Sequence, residues 1–327
     1  MIVQVIIVNY RTADLTVACL RSLAREALAL CGLRVLVVDS CSGDGSAEQI
    51  AAAIEREGWS AWASILPLDR NGGYSAGNNA GIRLALAADS PAKYVLLLNP
   101  DTIVRPGALA ELVRFMDQNP HVGIAGSGIE DVAAQPQCSA HRFPSPLGEL
   151  LNTARLGILN GLMPGHVVSP PLRPEPHPCD WVSGASMVIR RQVFEQIGLM
   201  DEGYFLYYDE VDFCYRAHCA GWEVWYVPQA KVMHLEGAAT GIRKERKRRP
   251  AYWYDSRRRF FIKAYGIGGL LLADALWIVG RFAWNVRRCL GLATASNDPR
   301  WFAWDLLVGD IRAILRERGY ASTSAAS

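Results

Sequence analysis

The chain has 327 residues, half of them hydrophobic, and a net charge of only +2. That length holds one large α/β domain with an appendage or two ordinary domains, and the apolar content excludes global disorder. Eight cysteines without a CxxC pair argue against a disulfide framework or a thiolate zinc site, and for reduced thiols in a cytoplasmic setting.

The first ten residues, MIVQVIIVNY, lack the basic start and cleavage site of a signal peptide and read as a strand. Residues 3–10 and 33–39 are continuous Val/Ile-rich runs, the pattern of parallel strands buried on both faces. A helix over 13–30 separates them. Ser46, with Gln49 three residues later, predicts a capping box opening a helix over 46–57. Strand 60–68, a Gly/Asn-rich turn at 71–79, a helix to about Ala88, strand 94–98 and a helix over 107–118 follow. This alternation predicts an α/β fold built on a doubly wound, mostly parallel, Rossmann-like sheet. Ligands of such sheets lie beyond the carboxyl ends of the strands.

From about 130 to 180 prolines crowd the chain, predicting a loop-rich insertion. Order returns with WVSGASMVIRR (181–191) and a short helix. FLYYDEVDFC (205–214) then sets Asp209, Glu210 and Asp212 within four positions inside an aromatic frame. Burying carboxylates so close together is costly unless they meet a cation, a hydrogen-bonding partner or a substrate proton. A strand-like run, WEVWYVPQAKVMH, ends at His234.

Residues 243–327 differ in kind. Between Arg243 and Lys263 ten Lys/Arg face two acids, so the rest of the chain is net acidic. An aromatic–arginine helix ended by Gly266 is expected, then a helix from about Gly269 to Leu290. A last amphipathic helix, opened by Asp298-Pro299 and closed by Gly319, precedes a Ser/Ala tail expected to be disordered. In the middle helix Asp274, Arg281, Asn285 and Arg288 fall on one polar stripe with Trp277 and Trp284 at its sides. That pattern predicts a helix in the plane of a membrane interface rather than a span. Packing of these helices on the catalytic body is the alternative. An anionic phospholipid surface explains basic residues beside Trp and Leu; no nucleic-acid-reading motif accompanies them.

Four polar positions carry candidate chemistry. Asp39 ends a buried strand and either accepts hydrogen bonds from a base or sugar, or caps the helix near Ser46. NGGYSAGNNAG (71–81) offers backbone N–H groups to a phosphate or ribose, or is a tight turn into a helix. In LLLNPDT (96–102), Asn99 and Asp101 project from a strand mouth, where Asp101 can ligate a divalent ion and Asn99 offers an amide oxygen; a plain β-turn is the other reading. His234, at another strand end, is either a structural histidine or the nitrogen ligand that completes an O/N site suited to Mn²⁺ or Mg²⁺.

Taken in order, VIIVNYR, VVDSCSGDGS, NGGYSAGNNAG, LLLNPDT, WVSGASMVIRR, FLYYDEVDFCYRAHCAGW and VMH resemble the family-two inverting glycosyltransferases of the GT-A fold, nearest to the rhamnosyltransferase-like branch. The resemblance covers roughly residues 2–236. It implies a catalytic domain over 1–242 and a basic, amphipathic helical extension over 243–327, like that of members working on membrane-bound acceptors. Asp39 would bind the nucleoside base, with Asn9, Asn71 and Gly72 also on the nucleotide-donor side. Asn99 and Asp101 would stand at the DxD position, with His234 as the later metal ligand. Glu210 would be the catalytic base and Asp209 its understudy. Trp181, Ser183 and Gly184 would fall where donor sugar and acceptor meet. The family usually shows Glu-Asp where this chain has Asp209-Glu210, and an acid where it has Asn99; Glu210 also reaches about 1.5 Å further than Asp would.

The implied reaction is a metal-assisted single displacement. A sugar passes from a nucleotide-diphosphate donor, dTDP-L-rhamnose by branch resemblance, to a hydroxyl of a glycan or polyprenyl-linked acceptor. The implied place is the cytoplasm, peripheral on the inner face of the cell membrane. A sugar-nucleotide-binding protein without turnover is the rival from another class. A nicotinamide-dependent oxidoreductase lacks its GxGxxG after the first strand.

Overall fold

A computed structural model describes residues 3–235, 248–293, 299 and 301–324. In chain order the elements are β1 (Val3–Asn9), α1 (Ala13–Ala29), β2 (Leu33–Asp39), α2 (Ser46–Arg56), β3 (Ala63–Pro67), α3 (Gly73–Ala87), β4 (Tyr94–Leu98), β5 (Thr102–Val104), α4 (Ala108–Gln118), β6 (Val122–Glu130) and β7 (Ala140–His141). After these come α5 (Pro146–Ala154), α6 (Gly157–Leu162), β8 (His177–Cys179), β9 (Trp181–Val182), β10 (Ser186–Arg190), α7 (Arg191–Ile197), α8 (Asp209–Cys219), β11 (Glu223–His234), α9 (Ala251–Cys289) and α10 (Phe302–Ser324). The chain divides into two compact units: Met1–His141, Ser169–Phe205 and Asp209–Gly241 form the first, and Arg142–Val168, Leu206–Tyr208 and Ile242–Ser327 the second.

In the first unit, nine strands among the described residues form one sheet in the order β3-β2-β1-β4-β10-β6-β11-β5, with β8 pairing the start of β11. Strands β3, β2, β1 and β4 are parallel. The chain winds outward from β1 to β3, then returns through α3 to β4 on the other side of β1. Between β1 and β4 lies the switch point, where a doubly wound sheet opens a crevice at its carboxyl rim. β10 runs antiparallel to both β4 and β6, and β11 runs parallel to β6. β11 therefore points the same way as β4, so His234 finishes at the rim where Asn99 begins.

Side-chain alternation along β1 covers both faces. Val3, Val5 and Ile7 join a core with Cys19, Leu20 and Leu23 of α1, Ile50 and Ile54 of α2, and Leu112 and Met116 of α4. Ile6 and Val8 face the other way and meet Gly81 and Gly77 of α3. The expected doubly wound α/β sheet is present.

Several local expectations differ. Ser46 opens no capping box: Gly45 is the N-cap, without a side-chain cap, and the Ser46 hydroxyl donates to Asp44 Oδ1 at 2.5 Å. Residues 73–79 are not a turn but the first two turns of α3. β6 was not anticipated; its sequence, VGIAGSGIE, is glycine-rich and of low strand propensity, yet every residue of it is buried. Glycine is needed there because a Cβ on Gly126 would lie 2.4 Å from Val182 Cβ.

The second unit is helical. Gly280 of α9 seats against Thr153 and Ala154 of α5, and Tyr254, Trp277 and Leu306 form a small core with Trp253 and Phe302. α9 breaks at Gly266, whose φ of 70° is non-helical, as the sequence predicts. Arg257, only 1% exposed, sits among three acids: Asp274 at 2.9 Å, Glu149 at 3.2 Å and Asp310 at 3.4 Å. Arg258 adds a second pair to Asp310 at 2.6 Å.

The expected polar stripe is thereby corrected: Asp274 is internal, Trp277 and Trp284 are buried, and Arg281 stacks on Trp284 at 4.4 Å. Arg257 likewise faces an ion cluster rather than solvent. Gly319 does not close the last helix, which continues to Ser324 through part of the expected tail. Asp298, residues 243–247 of the basic run and residues 325–327 lie outside the described residues.

Candidate active site

Asp39 ends β2 and is 3% exposed. Its Oδ1 accepts from Asn9 Nδ2 and from Ser42 Oγ, both at 2.6 Å, and its Oδ2 accepts from the Ser42 N–H at 3.0 Å. Asp39 is therefore no cap for α2. Asn9 is wholly buried behind it, its own Oδ1 taking hydroxyl bonds from Thr12 at 3.0 Å and Thr16 at 2.9 Å. Every hydrogen-bonding arm of Asn9 is engaged, so it acts as a brace that sets the Asp39 carboxylate. Ser42 shares that work and was not singled out from sequence.

At the mouth of the next strand, Asp101 Oδ1 lies 3.2 Å from His234 Nε2, and Asn99 Nδ2 lies 3.4 Å from the same nitrogen. β5 pairs antiparallel with the end of β11, with Thr102 opposite His234, and this register aligns the imidazole with the NPD turn. Beneath the turn the Thr102 hydroxyl donates to Asn99 O at 2.7 Å, while Cys19 Sγ approaches Thr102 Oγ1 at 3.4 Å. Burial pushes the Cys19 thiol up to about 12, so it stays neutral there.

Among the described residues no group of three or more His, Cys, Asp or Glu side chains gathers as a metal cage. Asp101 and His234 together present one oxygen and one nitrogen donor, with the Asn99 amide alongside. That mixture suits Mn²⁺ or Mg²⁺, ions that take remaining ligands readily from phosphate oxygens and water.

The acidic cluster forms the first turn of α8 and splits by direction. Asp212 turns inward to Arg216 at 2.8 Å and Tyr204 Oη at 3.2 Å, a structural anchor. Asp209 is buried, and Glu210 keeps part of its surface open. Burial raises the pKa of both. For Asp209 the Glu210 charge adds to the rise, whereas a side-chain hydrogen bond with Asp209 pulls Glu210 back down. Asp209 Oδ2 is buried without a hydrogen-bond partner.

Helix α3 ties these acids to the rim. Gly73 has φ +87°, and a Cβ there would fall 2.2 Å from Phe205 O; the Tyr74 N–H donates to that same oxygen at 2.8 Å. Asn71 Oδ1 accepts from the Gly73 N–H at 2.9 Å, and Gly72 is the N-cap of the helix. The Tyr74 hydroxyl donates to Gly184 O at 2.9 Å, and a Cβ on Gly184 would stand 3.6 Å from Glu210 Cβ. The Tyr74 phenol is pushed far up by burial, then by the charges of Asp209, Glu210 and Asp101. Tyr74 thus lies in the field of all three acids. Sequence reasoning passed over it, although it lies inside NGGYSAGNNAG.

Two further expected residues flank this point. Ser183 N donates to Ser139 O at 3.0 Å. Trp181 stacks on His141 with ring centroids 4.2 Å apart. The rim therefore gathers Asp39, Asn99, Asp101, His234, Tyr74 and Gly184 with Glu210 from six separate chain segments. By contrast, the rings of Tyr207 and Tyr208, expected to frame the acids, pack on Tyr252, Trp253 and Phe260 within the second unit.

Comparison with known proteins identifies the family. The family described as Glycosyltransferase like family 2 matches residues 2–254. The chain is 31% identical over 218 residues to an N-acetylglucosaminyl-diphospho-decaprenol L-rhamnosyltransferase of Mycobacterium tuberculosis, spanning 63% of this chain and 68% of that one. It is 26% identical over 199 residues to the rhamnosyltransferase WbbL of Escherichia coli K12, spanning 59% and 67%. Among solved structures, the mannosyltransferase PcManGT from Pyrobaculum calidifontis, in complex with GDP-Man and Mn²⁺, aligns with a TM-score of 0.56 at 15% identity. That alignment covers 99% of this chain and 84% of that one, a likeness of fold. The chain belongs to glycosyltransferase family 2: it is a rhamnosyltransferase-like glycosyltransferase with the GT-A architecture.

Proposed function

We propose that this enzyme transfers L-rhamnose from dTDP-L-rhamnose to a hydroxyl of a polyprenyl-diphosphate-linked glycan, with inversion, in one displacement. The observation that carries the reading is the Tyr74 bridge: one phenol donates to the Gly184 turn beside Glu210 and lies in the field of the Asp101 carboxylate. An acid–base group and a diphosphate-side carboxylate that both act on one phenol suit a single in-line reaction.

In this reading Glu210 removes the proton from the acceptor hydroxyl. Burial raises its pKa, which makes it a stronger base, and the hydrogen bond with Asp209 restrains that rise. Asp39, braced by Asn9 and Ser42, accepts from the nucleobase. Asn71 and Gly72 present the α3 N-terminus to the donor. Asp101 and His234, with Asn99 beside them, would hold the divalent ion; when bound, that ion neutralises charge on the departing diphosphate. Trp181, Ser183 and Gly184 line the acceptor side.

We also assign the helical unit to an anionic membrane surface, on the cytoplasmic side. α9 is long and apolar enough to cross a membrane by length and composition. One side of it is already occupied, by α5 at Gly280 and by the ion cluster at Asp274. The opposite side exposes Leu271, Leu272, Val279, Phe282, Val286 and Leu290. A helix engaged on one face and apolar on the other suits lying in the interface.

The test is transfer from dTDP-rhamnose to a synthetic polyprenyl-diphosphate N-acetylglucosamine, with the product's anomeric configuration read by NMR. Inversion is expected. Absence of product with any nucleotide sugar would overturn the substrate assignment, and a retained configuration would overturn the mechanism.

A further inference from the structure

In the helical unit, a cavity of about 300 Å³ opens between the start of α9 and α10, and none of its lining residues belongs to the transferase site. Its walls include Arg248, Arg249, Tyr254, Arg258, Trp304 and Arg312. Two of the four arginines are already neutralised: Arg248 pairs with Asp305, and Arg258 with Asp255 at 2.8 Å and Asp310 at 2.6 Å. Among the described residues, Arg249 and Arg312 have no carboxylate partner. The cavity therefore carries uncompensated positive charge.

Two donors on its wall also lack acceptors. Tyr254 is 4% exposed and its hydroxyl meets no partner; Arg249 Nε is likewise buried and unpartnered, its guanidinium lying 4.8 Å over the Trp253 ring. Native structures rarely leave buried donors unmade, so orphaned donors at a cavity point to an acceptor that is not protein. The first turn of α9, opening at Ala251 after an N-cap with no side-chain cap, adds its positive end to the same wall.

We propose that this cavity is a phosphate-binding site, in which Arg249, Arg312 and the Tyr254 hydroxyl donate to the oxygens of a phosphate group. Guanidinium forks, a phenol and a helix N-terminus lining one cavity fit an anion with several acceptor oxygens. The rim of the cavity favours an amphiphile as the source: Trp304 is 59% exposed, and Ile311 and Leu315 are exposed further along α10. The lipid source rests on the membrane-surface reading above; the phosphate site itself does not.

The experiment uses the full-length protein in excess chelator, to silence metal-dependent diphosphate binding. Binding is measured to inorganic pyrophosphate by calorimetry, and to phosphatidylglycerol and phosphatidylcholine vesicles by sedimentation. Four proteins are compared: wild type, R249Q/R312Q, Y254F and the charge-matched R281Q/R288Q. Wild type should bind phosphatidylglycerol vesicles over phosphatidylcholine. R249Q/R312Q should lose at least tenfold, Y254F several-fold with no change in charge, and R281Q/R288Q less than threefold.

Binding of pyrophosphate without vesicle binding would keep the site and assign it to a soluble phosphate. Equal losses in the two double variants would show diffuse charge and overturn the site, as would wild type binding neither probe. Nucleotide-sugar binding with Mn²⁺, measured in the same preparations, reads the transferase site separately. A failure there leaves the cavity result standing.

Discussion

The Asp101 carboxylate and the His234 imidazole meet at 3.2 Å across 133 residues of chain. They meet because β10 enters the sheet antiparallel between β4 and β6, leaving β11 to run with β4 and deliver its last residue to the same rim. No local property of either segment requires that contact.

If this pair holds a divalent ion, Asp101→Asn and His234→Gln should each weaken apparent Mn²⁺ affinity at least tenfold. Excess chelator should abolish wild-type turnover, with recovery on adding Mn²⁺ or Mg²⁺. A metal titration of initial rates measures both. Full activity in chelator would refute the assignment.

Glu210→Gln should retain nucleotide-sugar affinity within about twofold and lose 10²- to 10⁴-fold in kcat, the usual worth of a positioned base. Calorimetry and steady-state rates separate the two effects. A variant with near-wild-type kcat would remove Glu210 from that role.

The pH profile tests the division of labour between the two acids. As the proposed base Glu210 works ionised, so activity should fall as pH drops through its pKa. Burial raises that pKa and the hydrogen bond with Asp209 holds it down. Asp209→Ala removes the restraint and should move the acid limb of kcat to higher pH. A limb that stays in place, or moves lower, would show that Asp209 does not tune the base.

Arg257→Met should destabilise the helical unit by about 3–5 kcal/mol at pH 8, because the buried Asp274 and Asp310 and the half-buried Glu149 lose their central cation. Burial already pushes Asp310 up to about 6 and raises Asp274. An acid with a raised folded pKa favours folding below its unfolded value and loses that contribution as pH rises through the folded one. The deficit should therefore shrink at pH 5. Denaturant unfolding at both pH values gives the answer, and an equal deficit at each would reject the account.

Much of the rim was legible from sequence because polar residues interrupt apolar strands there. Asp39, Asn99, Asp101 and His234 each stand at the end of a Val- or Leu-rich run, and alternation cannot tolerate a carboxylate further inside. Tyr74 was harder to see. A tyrosine at the start of a helix carries no local mark of function, and its role comes from what Gly184 and the acids bring to it. Asp274 misled in the opposite way: helical spacing put it on a polar line, but Arg257, seventeen residues earlier, draws it inside.

By itself the sequence determined the elements that depend on nearest neighbours: the parallel core strands, the break at Gly266 and the acids gathered in the first turn of α8. Periodicity and backbone preference act over a few residues, so they can be read directly. Tertiary structure alone decided that glycine-rich β6 belongs in the sheet and that Asp212 anchors Arg216 while Glu210 faces the rim. It also decided that Arg257 is buried among acids. Those outcomes depend on strand order and on which charges share a low-dielectric interior, and both are set by groups far apart in the chain.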